Sequence, residues 1–116
     1  MRILVADDQA LIRDMLSRML GMDHRVDTAV DGLAAWDAVC MADDDGKPYD
    51  LVITDHEMPH ITGTELAVRI RNAGFTPRIV ICSGVASEID CAAADAILSK
   101  PFSFRYLEEE IKLAAT

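Results

Sequence analysis

The chain has 116 residues, 51% of them hydrophobic and 27% charged, and 20 acidic against 11 basic side chains leave it at −9. That suits one domain, taken here as 1–116, built on a single core, and it excludes a disordered chain. No apolar run reaches the roughly 18 residues of a membrane span, and so acidic a surface repels nucleic acid phosphates and anionic lipid, which argues against direct binding to either.

Residues 2–6 (Arg-Ile-Leu-Val-Ala) predict a short buried strand. Asp8 is placed to cap a helix in which Leu11, Ile12, Met15, Leu16, Met19 and Leu20 recur at helical spacing, with Gly21 at its end. Residues 25–29 form a weaker strand, and residues 32–42 a helix with Ala35, Trp36, Val39 and Cys40 on one side. Asp43 to Pro48 read as a surface turn. Residues 51–54 make a third strand that ends at Asp55, followed by a loop containing Met58-Pro59. A helix from Gly63 to Ala73 turns Leu66 and Ile70 inward and stops at Gly74. Residues 78–82 and 96–99 supply the fourth and fifth strands, and a last helix from near Ser103 buries Leu107 and Ile111.

Strands that are apolar throughout are buried on both faces, as in a parallel sheet covered by helices. Strand–helix alternation along the whole chain gives an α/β open sheet with right-handed crossovers. Ligands of such sheets bind beyond the carboxyl ends of the strands. Those positions hold Asp7 and Asp8 after strand one, Asp55 after strand three, Ser83 and Gly84 after strand four, and Lys100-Pro101 after strand five.

Two carboxylates about 4 Å apart repel by roughly 4 kcal/mol at an effective dielectric near 20, so three ionise together only around a cation. A hard ion that keeps several waters, Mg²⁺, fits so small a set of oxygen ligands. Asp55 stands alone at a central strand end and is the candidate nucleophile toward phosphorus, with Asp7 and Asp8 as the metal-holding pair. Lys100 and the Ser83 hydroxyl would then meet the phosphoryl oxygens.

The acidic pair Asp7-Asp8, the segment Asp55-His56-Glu57-Met58-Pro59 with Gly63 after it, Ser83-Gly84 and Lys100-Pro101-Phe102 together resemble the receiver domain of two-component response regulators, over essentially the whole chain. The resemblance implies a five-stranded parallel sheet in order 2-1-3-4-5 with helices on both faces. It implies Mg²⁺ held by Asp8, Asp55 and the backbone carbonyl of Glu57, with Asp7 acting through water. Asp55 would be the phosphoacceptor, charged by a histidine kinase or a histidine phosphotransfer protein, and Lys100, Ser83 and the Gly84 amide would contact the phosphoryl group. A cis Lys100-Pro101 bond is also implied. The output would be a downstream protein partner or a fused output domain, in the cytoplasm. The chain would be no enzyme beyond its own phosphorylation and dephosphorylation.

Other features fit that setting. Cys40, Cys82 and Cys91 form no CxxC pair and are odd in number, as expected of reduced cytosolic thiols. Cys82 is expected to be buried and inert, and Glu108-Glu109-Glu110 a solvated helix face. Two rival functions are an aspartyl-phosphate phosphatase, which so short a chain leaves little room to cap, and a degenerate receiver serving only as an interaction module.

Two departures from the family stand out. The position three before the lysine, usually a switch aromatic, is Ile97. Of the twelve residues between Ser83 and strand five only about ten, Val85 to Ala94, remain for a fourth helix, fewer than three turns, so that helix is expected to be short or irregular. Phosphorylation would then act through a remodelled segment from Val85 to Ala94. Amide hydrogen exchange with and without beryllofluoride, a phosphoryl mimic, is expected to change in that segment; unchanged exchange there would defeat the idea.

Overall fold

A β-strand sends successive side chains to opposite faces, and in the central strands of this protein both sets are apolar. In the computed structural model, which describes residues 1–101 and 103–116, those two sets seed two cores. Phe102, part of the Lys100-Pro101-Phe102 motif, lies outside the described residues. Strands β1 (Arg2–Ala6), β2 (Arg25–Ala29), β3 (Leu51–Asp55), β4 (Arg78–Ser83) and β5 (Ala96–Ser99) pair in parallel in the order β2-β1-β3-β4-β5. Helices α1 (Ala10–Leu20), α2 (Gly32–Asp44), α3 (Gly63–Asn72) and α4 (Phe104–Ala114) connect or follow them.

On one face Leu4, Val52, Ile79 and Ile81 pack against Ala35 and Val39 of α2 and Leu66, Ala67 and Ile70 of α3. On the other, Ile3, Val5, Ile53 and Val80 pack against Leu16 and Leu20 of α1 and Leu107 of α4. Each large side chain buried this way contributes about 1.5–3 kcal/mol, so the helices are held by one apolar stripe apiece. The expected sheet order and the helices on both faces are as observed.

Several local readings need correction. The cap of α1 is Gln9, whose side chain makes no capping bond; Asp8 does not cap it. Asp7 turns the chain instead, its Oδ1 accepting the Gln9 N–H at 2.9 Å. Of the six apolar positions of α1 only Leu16 and Leu20 are buried, while Leu11, Met15 and Met19 face solvent. Helix α2 runs to Asp44, two residues into the expected turn. Consecutive aspartates are poor helix formers, which is why the sequence understates its length. Glu110 is not part of a solvated face: its Oε2 accepts from Arg78 Nε at 2.6 Å and ties α4 to β4.

The fourth helix of the resemblance is reduced to a single 3-10 turn at Ala86–Glu88. Ile89, Cys91, Ala93 and Ala94 still pack on the α2/α3 core. Arg71 of α3 fixes the far end of the segment. Its guanidinium donates to the carbonyls of Ala93 (3.1 Å) and Phe75 (3.2 Å) and to Asp95 Oδ2 (2.8 Å). That carboxylate also accepts the Ile79 N–H at 2.7 Å, so the segment is stapled both to α3 and to β4.

The loop from β3 to α3 is closely packed. Thr62 caps α3, its hydroxyl accepting the Glu65 N–H and lying within hydrogen-bond distance of the Glu65 carboxylate. Gly63 opens α3 directly beneath the phosphoacceptor candidate: a Cβ there would lie 2.6 Å from the Asp55 carbonyl oxygen and 3.0 Å from His56 Cα. Both neighbours are backbone and cannot swing aside. Gly63→Ala is therefore expected to destabilise the protein by about 1–3 kcal/mol, read as a lower urea midpoint; an unchanged midpoint would show that the loop relaxes freely.

Candidate functional site

Strand β1 lies between β2 and β3, so the chain leaves β1 to one side of the sheet and later returns to the other. The crevice opened by that reversal lies beyond the carboxyl ends of β1 and β3, the usual ligand position of an open sheet. Asp7 and Asp8 follow β1, and Asp55 is the last residue of β3. All three carboxylates meet there, with one oxygen of each within 4.8 Å of the others. Asp7 and Asp55 are buried and Asp8 is exposed. Backbone pairing sets these positions. Asp7 N donates to Ala29 O, His56 N to Cys82 O, and Arg13 holds the Asp7 carbonyl at 2.7 Å.

Lys100 follows β5 and reaches across the β4 edge, its Nζ 2.9 Å from Asp55 Oδ1. Its backbone N–H donates to the Ser83 carbonyl at 2.8 Å, which registers the ends of β4 and β5. The Lys100-Pro101 bond is cis, as the resemblance implied. The pair is asymmetric. Burial would lower the Lys100 pKa, but the hydrogen bond and charge of Asp55 outweigh it and hold the ammonium above its usual value. Burial raises the Asp55 pKa; Lys100 opposes this, and the charges of Asp7 and Glu57 add to it. Asp55 is thus a poorly solvated carboxylate with one cation beside it, ready to share a second.

Ser83 is fully buried at the end of β4. Its hydroxyl donates to Glu57 Oε1 at 2.5 Å and accepts the Val85 N–H at 3.0 Å. Sequence reasoning did not foresee this contact of the Glu57 side chain. Burial alone would raise its pKa, but the Ser83 hydrogen bond and its neighbours bring it below the usual value. The contact joins residues 26 apart in sequence, and no local pattern announces it. Gly84 follows with open space around it, since a Cβ there would meet nothing within 4 Å. Cys82 is buried, as expected, and its thiol is pushed up to about 12, chiefly by burial.

Such a sheet, with three acids at its switch point and a lysine on the central one, defines a receiver-type signalling domain. The family model for the response regulator receiver domain matches residues 3–112, and the chain belongs to that family. A probable transcriptional regulatory protein of Picosynechococcus is 35% identical over 91% of this chain, which spans 45% of that relative. The two-component response regulator ORR41 of rice is 36% identical over 88% of this chain and 84% of its own length. The response regulator TrrA of Thermotoga maritima, solved in complex with Mg²⁺-BeF, is 35% identical over 97% of both chains, with a TM-score of 0.80. TrrA has also been solved in complex with the histidine kinase ThkA. None of the described helices is long and apolar enough to cross a membrane.

The acid cluster makes a thermal prediction. Magnesium at a hundred times its dissociation constant stabilises by about 2.7 kcal/mol, which is roughly 10 °C in melting temperature for a chain of this size. Asp8→Asn is expected to lose most of that shift in a calorimetric melt; equal shifts in both proteins would show that the acids do not hold the ion.

Proposed function

We propose that the chain accepts a phosphoryl group on Asp55 from a histidine kinase or histidine phosphotransfer protein, in a Mg²⁺-dependent phosphorelay. The product switches binding of a downstream partner or output domain. The observation that carries this reading is the meeting of Asp55 with Asp7, Asp8 and Lys100 at one strand edge. The TrrA complexes with Mg²⁺-BeF and with a kinase support it. A free Cys40, Cys82 and Cys91 and a net charge of −9 favour a cytoplasmic protein with no direct nucleic acid or membrane ligand. In this reading the whole of 1–116 is one receiver domain, and it catalyses at most its own phosphorylation and dephosphorylation.

The residues present fit the metal. Asp8, Asp55 and the Glu57 carbonyl would hold Mg²⁺ directly and Asp7 through water; bound there, the ion offsets charge on the phosphoryl oxygens. In the transfer an Asp55 oxygen attacks phosphorus while the bond to the donor nitrogen breaks, and the donor imidazole leaves with its electron pair. Lys100 neutralises charge as it shifts from the Asp55 carboxylate to the phosphoryl oxygens, and the Ser83 hydroxyl and Gly84 amide donate to those oxygens.

A protein donor must cover the rim of the crevice, and α1 starts at that rim. Leu11, Met15 and Met19, 80%, 47% and 38% exposed, recur every four residues and form an apolar stripe that runs along α1 away from the rim. This stripe is the surface on which the donor docks.

Incubation with acetyl phosphate and Mg²⁺ is expected to give one phosphoryl adduct by intact mass, absent in Asp55→Asn. In Met15→Glu the adduct should form from acetyl phosphate at the normal rate, while transfer from a phosphorylated donor protein slows about tenfold, the loss of one apolar contact worth about 1.4 kcal/mol. A wild-type chain that acquires no adduct would overturn the function, and undiminished protein transfer would overturn the docking face.

A further inference from the structure

Ser83 has one hydroxyl proton, and a hydroxyl can donate only once. That proton is given to Glu57 Oε1 at 2.5 Å, at the short end of the range for a hydrogen bond to a carboxylate. The Ser83 hydroxyl oxygen in turn accepts the Val85 N–H at 3.0 Å. The hydroxyl that the proposed reaction needs for a phosphoryl oxygen is therefore already engaged, by an anion belonging to the chain itself.

We propose that Glu57 is a positioning residue that occupies Ser83 as a resident anion until Asp55 is phosphorylated, and that its displacement by the phosphoryl group is the step that re-aims Ser83. The inference rests on the phosphoacceptor reading of Asp55. Glu57 acts on the reaction through Ser83; its charge also bears on Asp55 directly, a route that does not need the hydroxyl. A phosphoryl group brings nearly two negative charges at neutral pH and competes with Glu57 for the same proton. Repulsion between the two anions favours the exchange, because Glu57 is exposed and can swing into water. Ser83, buried at a strand end, cannot move away and can only rotate.

The contact also reaches the unusual part of the fold. Val85 opens the segment that replaces the fourth helix, and its N–H rests on the Ser83 oxygen. Arg71 pins the other end at Ala93 and Asp95. A Ser83 oxygen that rotates toward Asp55 withdraws the acceptor from Val85 while the far end stays fixed. With Ile97 in place of an aromatic, this exchange supplies a route from the acid site to the 85–94 segment that needs no ring rotation.

A double-mutant cycle on the rate of labelling by acetyl phosphate and Mg²⁺ tests the proposal. Glu57→Ala is expected to speed labelling of Asp55 roughly tenfold by freeing the hydroxyl. Glu57→Gln, which keeps a neutral and weaker acceptor, should fall between Ala and wild type. Ser83→Ala should be slow, and Glu57→Ala added to it should change nothing. The same acceleration with and without Ser83 would overturn the proposal, by showing that only the negative charge of Glu57 matters; so would no acceleration in Glu57→Ala. Failure of the wild type to form any Asp55-dependent adduct is a separate result that removes the function and this inference together.

Discussion

Asp7, Asp8 and Asp55 hold oxygens within 4.8 Å of one another, an arrangement that electrostatics opposes unless positive charge is shared among them. The rest of the molecule is organised around keeping that arrangement. Two of the three acids are buried, so water screens them poorly, and the ammonium of Lys100 bonds directly to Asp55 at 2.9 Å. The sheet supplies the rigidity. Apolar side chains on both faces of β1 and β3 fix the strand ends that carry the acids, and neither strand can shift without breaking two cores at once. A cleft so loaded with negative charge favours a divalent ion and a group that such an ion can escort, which is the physical basis for reading it as a phosphoryl site.

The same edge of the sheet couples the site to its surroundings through few contacts. Gly63 brings α3 against the Asp55 backbone, and the Lys100 N–H locks the ends of β4 and β5 together. Ser83 stands between Glu57 and Val85, so one hydroxyl is shared by the loop after β3 and the segment after β4. Where the family resemblance leads to a fourth helix, this chain has one 3-10 turn and an arginine staple. Half of that segment is tied down by Arg71, and half depends on a hydrogen bond beside the acids. Such a segment responds to events at the site more readily than a full helix packed along its length.

Much of this was legible before any coordinates. Short, wholly apolar runs alternating with amphipathic stretches admit few arrangements besides a parallel sheet between helices. The rule that ligands lie beyond strand ends then selects Asp7, Asp8, Asp55, Ser83 and Lys100 from a chain with 20 acids. The shortened fourth helix followed from residue spacing set against the family resemblance. Less legible were the local details. The Asp43–Asp44 extension of α2 defied propensity, and Asp8 proved not to cap α1, because Asp7 had already taken the turn.

The sequence by itself determined the strand and helix periods, the sheet they imply and the carboxylates at its edge, because these depend on local pattern and on connection rules. The tertiary structure alone decided which apolar residues of α1 face solvent, that Glu110 pairs with Arg78, that Arg71 staples the irregular segment and that Glu57 holds Ser83. Each of these joins or separates groups according to packing between elements distant in the chain. A side chain's partner across 26 residues is fixed by where two strand ends come to rest, and that position is a property of the whole sheet.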